Sequence, residues 1–109
     1  MKLKIQNYNK EAIGDLSITG SKSESNRLLI IQALYPQIEI QNLSKSDDSQ
    51  VTMEGLKSKE NVIDVNHAGT AMRFLTAYFA IQPHREIVLT GSNRMQERPI
   101  KLLVEALNS

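Results

Sequence analysis

Cysteine is absent from the 109 residues, which excludes disulfides, thiolate nucleophiles and cysteine-based metal sites and is compatible with a reducing compartment. Any excess of charge is missing as well: 13 Lys and Arg stand against 12 Asp and Glu, a net charge of +1. No global field therefore favours nucleic acid or an anionic membrane as partner, and any anion binding must be local. Long apolar runs are also lacking. The start, Met1 to Lys10, alternates polar and apolar residues without an apolar h-region, and no later run is long enough to span a bilayer. The expectation is a soluble, cytoplasmic protein. His67 has no paired acid or second histidine at metal-ligand spacing, so no metal is assigned to it, and no cofactor is expected.

What is present is the composition of an ordinary globular domain, 40% hydrophobic and 23% charged, in a chain long enough for one modest core. Leu3 and Ile5 alternate with polar neighbours, and Ile13 to Ile18 gives a second extended segment, so a hairpin is expected there. From Ser23 to Tyr35 the chain turns apolar through Leu28, Leu29, Ile30, Ile31, Ala33 and Leu34 until Pro36 stops it, which predicts a helix buried on most sides. Ile38 and Ile40 alternate with Gln37, Glu39 and Gln41 as a strand. Ser46 or Asp47 caps a helix that runs to about Gly55.

Val62 to Val65 predicts another short strand, Ala71 to Ile81 an apolar helix ended by Pro83, and Ile87 to Leu89 a further strand. Pro99 suits the first turn of a last helix with Ile100, Leu103, Val104 and Leu107 on one face. No cap, closing strand or polar tail follows Leu107-Asn108-Ser109, so the ending reads as a cut. Strands alternating with helices predict an α/β or α+β domain over residues 1–109, with the partners of some strands missing.

Three stretches carry candidate chemistry. Gly20-Ser21-Lys22-Ser23-Glu24-Ser25-Asn26-Arg27 opens a helix, where free N–H groups and the helix dipole favour an anion and Lys22 adds a mobile charge. Ser23 and Arg27 are four apart and share a face, able to hold a planar carboxylate together. The plainer reading, a serine N-cap with solvated Lys22 and Arg27, stays open. In Asn66-His67-Ala68-Gly69-Thr70-Ala71-Met72-Arg73, Gly69 would let a ligand approach the backbone, or else serve a tight turn with Thr70 as cap. In Thr90-Gly91-Ser92-Asn93-Arg94-Met95-Gln96-Glu97-Arg98-Pro99, Arg94 is placed to grip a phosphate or carboxylate, while Glu97 beside Arg98 reads as an ion pair that fixes the turn. All three stretches offer cations and backbone donors, and none offers a nucleophile with a poised base and an oxyanion hole. Small anions are the expected ligands.

These stretches, together with Ser46-Asp47-Asp48, occur in the same order in 3-phosphoshikimate 1-carboxyvinyltransferases, the EPSP synthases, which the chain resembles along its whole length. The resemblance implies a βαβαββ-repeat enolpyruvyl transferase architecture, here incomplete: the first repeat unit and the start of the next, without the second domain. It also implies transfer of the enolpyruvyl group of phosphoenolpyruvate to the 5-hydroxyl of shikimate 3-phosphate with release of phosphate, in the shikimate pathway to chorismate and aromatic amino acids. Lys22, Ser23 and Arg27 would hold shikimate 3-phosphate; Lys22, Gly69 and Arg94 would contact phosphoenolpyruvate. The catalytic acid/base residues are expected outside this chain, so the chain alone would be inactive, and the full-length parent is expected to be a monomer with small-molecule partners only.

Three features depart from the family pattern: His67 stands where Asn is common, Phe74 where Pro is common, and the segment from Lys57 to Val65 is short. Two other readings fit parts of the pattern. A UDP-N-acetylglucosamine enolpyruvyltransferase-like enzyme normally shows Lys-Asn in place of Lys22-Ser23 and lacks the Ser25-Asn26-Arg27 continuation. A non-catalytic domain that binds an anion or a partner protein would keep the scaffold alone.

Overall fold

Serine decides where three of the helices begin. The computed structural model describes residues 14–109, which form α1 (Lys22–Leu34), α2 (Asp47–Lys57), β1 (Val62–Asp64), α3 (Gly69–Ala80), β2 (Val88–Thr90), α4 (Asn93–Gln96) and α5 (Lys101–Asn108). The hydroxyl oxygen of Ser21 accepts the amide of Glu24, that of Ser46 the amide of Ser49, and that of Ser92 the amide of Met95. Each satisfies one of the N–H groups that a helix start leaves without an internal partner. Ser25, buried one turn into α1, accepts the amide of Ser44 at 2.8 Å and so ties the approach to α2 onto α1.

β1 and β2 pair in parallel, with Ile63 opposite Leu89. Parallel strands need a crossover between them, and α3 supplies it, making one βαβ unit. The inward face of α3, with Ala71, Met72, Leu75 and Phe79, packs on Ile63, Val65, Ala68 and Met95 to form the core. α2 lies against the same helix at close range. The cause is Gly55, where a Cβ would stand 2.7 Å from Leu75 Cδ1. Arg85 closes the far end: its Nη2 donates to the carbonyls of Ser58 at 2.7 Å and Glu60 at 3.2 Å, and its guanidinium sits 5.1 Å from the Phe79 ring centre.

The mixed α/β expectation agrees with this arrangement, and α2, α3, β1 and β2 fall within a few residues of the predicted bounds. Several expectations need correction. Residues 37–41 form no strand, because no described strand lies beside them; the turn there is held instead by Ile38 N donating to Tyr35 O and by Gln32 Nε2 donating to Ile38 O. Helix α1 is not buried on most sides: Leu28, Ile31 and Leu34 are about two-fifths exposed, and Leu29 is its one fully covered apolar side chain. Thr70 is not the cap of α3, whose N-cap is Ala68. Pro99 lies before α5 rather than in its first turn.

Residues 14–18 are exposed and make no strand, and the rest of the expected N-terminal hairpin lies outside the described residues. Among the described residues no helix is long and apolar enough to cross a membrane.

Candidate anion-binding site

Because β1 and β2 are parallel, the loops at their carboxyl ends emerge on the same side, the position where open α/β sheets present ligand-binding residues. Backbone hydrogen bonds stitch the two exits together: Val65 N donates to Thr90 O at 2.7 Å and Ser92 N to Asn66 O at 3.1 Å. Asn66 takes φ 51°, a left-handed turn that asparagine tolerates, and its amide donates to Asp64 Oδ1 at 2.8 Å. The turn points His67 outward and brings Gly69 to the start of α3.

Between these loops opens a cavity of about 480 Å³ lined by His67, Ser92, Arg94, Met95 and Arg98. Arg94 stands on α4 with its side chain exposed toward it, as the sequence leads one to expect. Arg98 differs from expectation. No ion pair with Glu97 exists among the described residues. Its guanidinium instead covers Gly69, so that a Cβ at that position would meet Arg98 Cζ at 2.9 Å. The space over Gly69 is thus taken by the Arg98 guanidinium, and the Gly69 amide donates to His67 O at 3.0 Å in the turn that leads into α3. A neighbouring Glu97 in sequence could not reveal this partner, which comes from a different element.

The second cluster lies at the starts of α1, α2 and α3. Lys22 is the first residue of α1, and its Nζ lies 3.5 Å from Asp48 Oδ2 with about half of the side chain exposed. The other oxygen, Asp48 Oδ1, accepts the amide of Ala71 in the first turn of α3 at 3.3 Å. One carboxylate therefore links Lys22 to the helix that Gly69 opens. In the sequence Asp48 reads as part of Ser46-Asp47-Asp48 at the start of its own helix, and nothing there points to Lys22 or the Ala71 amide. Ser23 and Arg27 lie on the exposed side of α1, where Arg27 makes no ion pair among the described residues.

Arg94 and Arg98 line one cavity with His67, Ser92 and Met95, Gly69 lies under the Arg98 guanidinium, and Lys22 is tied through Asp48 to the first turn of α3, while Ser23 and Arg27 remain on the open surface of α1. Chemically the arrangement supplies guanidinium groups, an ammonium and helix N-termini, all suited to phosphate and carboxylate.

Comparison with known proteins agrees in direction. Residues 56–109 match the family model described as EPSP synthase (3-phosphoshikimate 1-carboxyvinyltransferase). The chain is 50% identical over 93 residues to a 3-phosphoshikimate 1-carboxyvinyltransferase of Bacteroides fragilis, an alignment covering 84% of this chain and 22% of that protein. Against the enzyme of the same name from Burkholderia pseudomallei the identity is 36% over 124 residues, covering 90% of this chain and 27% of that one. A Pentafunctional AROM polypeptide 2 of Lodderomyces elongisporus is 40% identical over 127 residues, with 86% and 8% covered. The chain therefore spans about a quarter or less of the length of these relatives. No solved structure matches it. The resemblance read from the motifs is borne out.

Proposed function

We propose that this chain, a relative of the EPSP synthases, is the part of a 3-phosphoshikimate 1-carboxyvinyltransferase that holds the anionic ends of both substrates. The observation that carries the reading is the joining of Lys22, through Asp48, to the start of α3, beside a cavity walled by Arg94 and Arg98. Two anionic substrates need two clusters of donors, and here Arg98 over Gly69 and Asp48 on the Ala71 amide set both clusters against the first turn of α3.

In this reading Lys22, Ser23 and Arg27 bind shikimate 3-phosphate, and Lys22, Gly69 and Arg94 bind phosphoenolpyruvate. Arg27 can form a paired hydrogen bond to phosphate, and Gly69 carries no side chain to obstruct a ligand at the helix start. Charge that shifts onto the departing phosphate is held by fixed cations rather than by water, and so needs no reorganisation during the step. The enolpyruvyl group passes to the 5-hydroxyl, phosphate leaves, and the proton transfers fall to acid and base groups outside these 109 residues. The parent enzyme acts as a cytoplasmic monomer on the route to chorismate, built of βαβαββ repeats, and the 109 residues alone do not turn over.

The test is phosphate release from phosphoenolpyruvate in the presence of shikimate 3-phosphate, assayed with the protein expressed from the whole reading frame. Release that depends on shikimate 3-phosphate is expected. Release that ignores it, or that requires a UDP-sugar instead, would sink the proposal.

A further inference from the structure

His67 lies on the boundary between two clefts of opposite character. On one side it lines the cavity with Arg94 and Arg98. On the other it lines a second cleft of about 490 Å³ with Asp47, Asp48 and Glu54 of α2. Its side chain is exposed. Nothing in the proposed reaction uses it.

We infer that His67 makes anion binding in the arginine-lined cavity dependent on pH, its imidazolium form adding a third positive charge beside Arg94 and Arg98. The inference rests on the reading of that cavity as an anion site. Histidine is the side chain whose charge changes between about pH 5 and pH 8, so a modest change of surroundings moves it.

Charges of both signs line the two clefts it borders. Arg94 and Arg98 stand on the β2 side. Asp47, Asp48 and Glu54 stand on the α2 side, where Asp48 is already engaged by Lys22 and the Ala71 amide. Asp64, on the strand that leads into this turn, is engaged by the Asn66 amide. A dianion entering the cavity adds two negative charges on the arginine side, and that tips the balance toward imidazolium. Binding and protonation are then linked: an anion that promotes proton uptake binds more tightly as pH falls.

Inorganic sulfate is the suitable probe, because it keeps both charges across this range and any pH dependence must come from the protein. Its dissociation constant is read from NMR shifts of the Gly69 and Arg94 amides in the full chain, for wild type and for His67→Asn, a variant that keeps hydrogen-bonding capacity without titrating. From about pH 8 to about pH 5.5 the wild type should tighten roughly three- to tenfold, the worth of one added charge in a solvent-open site, while His67→Asn stays level. Parallel behaviour of the two proteins overturns the role of His67 and leaves the cavity an anion site. No response to sulfate in wild type at either pH overturns the anion site and this inference together.

Discussion

Lys22 and Asp48, the first residue of α1 and a first-turn residue of α2, form an ion pair of 3.5 Å whose carboxylate also caps the start of α3. The two functions of that carboxylate separate by mutation. Asp48→Asn removes the charge but keeps an acceptor for the Ala71 amide, and with Lys22 half exposed the loss of the pair alone should cost about 1 kcal/mol or less. Asp48→Ala also leaves α3 without its acceptor, adding about 1 kcal/mol, the usual worth of a helix cap. Urea unfolding of the three proteins checks this, and equal destabilisation by Asn and Ala would show that Asp48 does not cap α3.

Gly69→Ala places a methyl where the Arg98 guanidinium lies. The obstruction is the mobile end of a side chain, so the fold should survive with little change in unfolding midpoint. The cavity should not survive unchanged. In the full-length enzyme the KM for phosphoenolpyruvate is expected to rise at least several-fold while that for shikimate 3-phosphate moves little, and a pair of unchanged KM values would remove Gly69 from the site.

Arg27 is exposed on α1 and free of any ion pair among the described residues. Arg27→Ala should therefore leave stability within about 0.5 kcal/mol, as surface substitutions usually do. Binding of shikimate 3-phosphate by the full-length enzyme should weaken by roughly 1.5 to 3 kcal/mol through loss of a charge-assisted hydrogen bond. Titration calorimetry giving wild-type affinity would refute the assignment.

Leu75 is fully buried between α2 and the sheet, against Gly55. Leu75→Ala should destabilise the fold by about 2–5 kcal/mol, the range for a truncated core leucine. Leu28, 39% exposed on α1, should cost about 1 kcal/mol or less when changed to Ala, because little area leaves a packed environment. Denaturant midpoints that fail to separate the two variants would contradict the burial difference between α1 and α3.

Much of the local structure was legible because its causes are local. Ser46 stands directly before a helix, since a serine hydroxyl satisfies amides only two or three residues ahead. The apolar run from Ala71 to Ile81 marked α3, and Arg94 could be singled out as a basic residue at a strand exit. Where sequence reasoning failed, the missing cause was a distant partner. Ile38 and Ile40 alternate like a strand, yet a strand forms only beside another edge, and none is supplied. The apolar run of α1 predicted burial, but burial depends on what packs against the run.

Sequence alone determined the serine start of α2 and the succession of α2, β1, α3 and β2, which depend on residue type and near neighbours. Only the tertiary structure decided that Arg98 lies over Gly69 rather than beside Glu97, that Asp48 joins Lys22 to the Ala71 amide, and that His67 divides an acidic cleft from a basic one. Those relations cross 13 to 31 positions of chain, and a side chain's partner at that distance is set by how helices and strands pack, which no local pattern encodes.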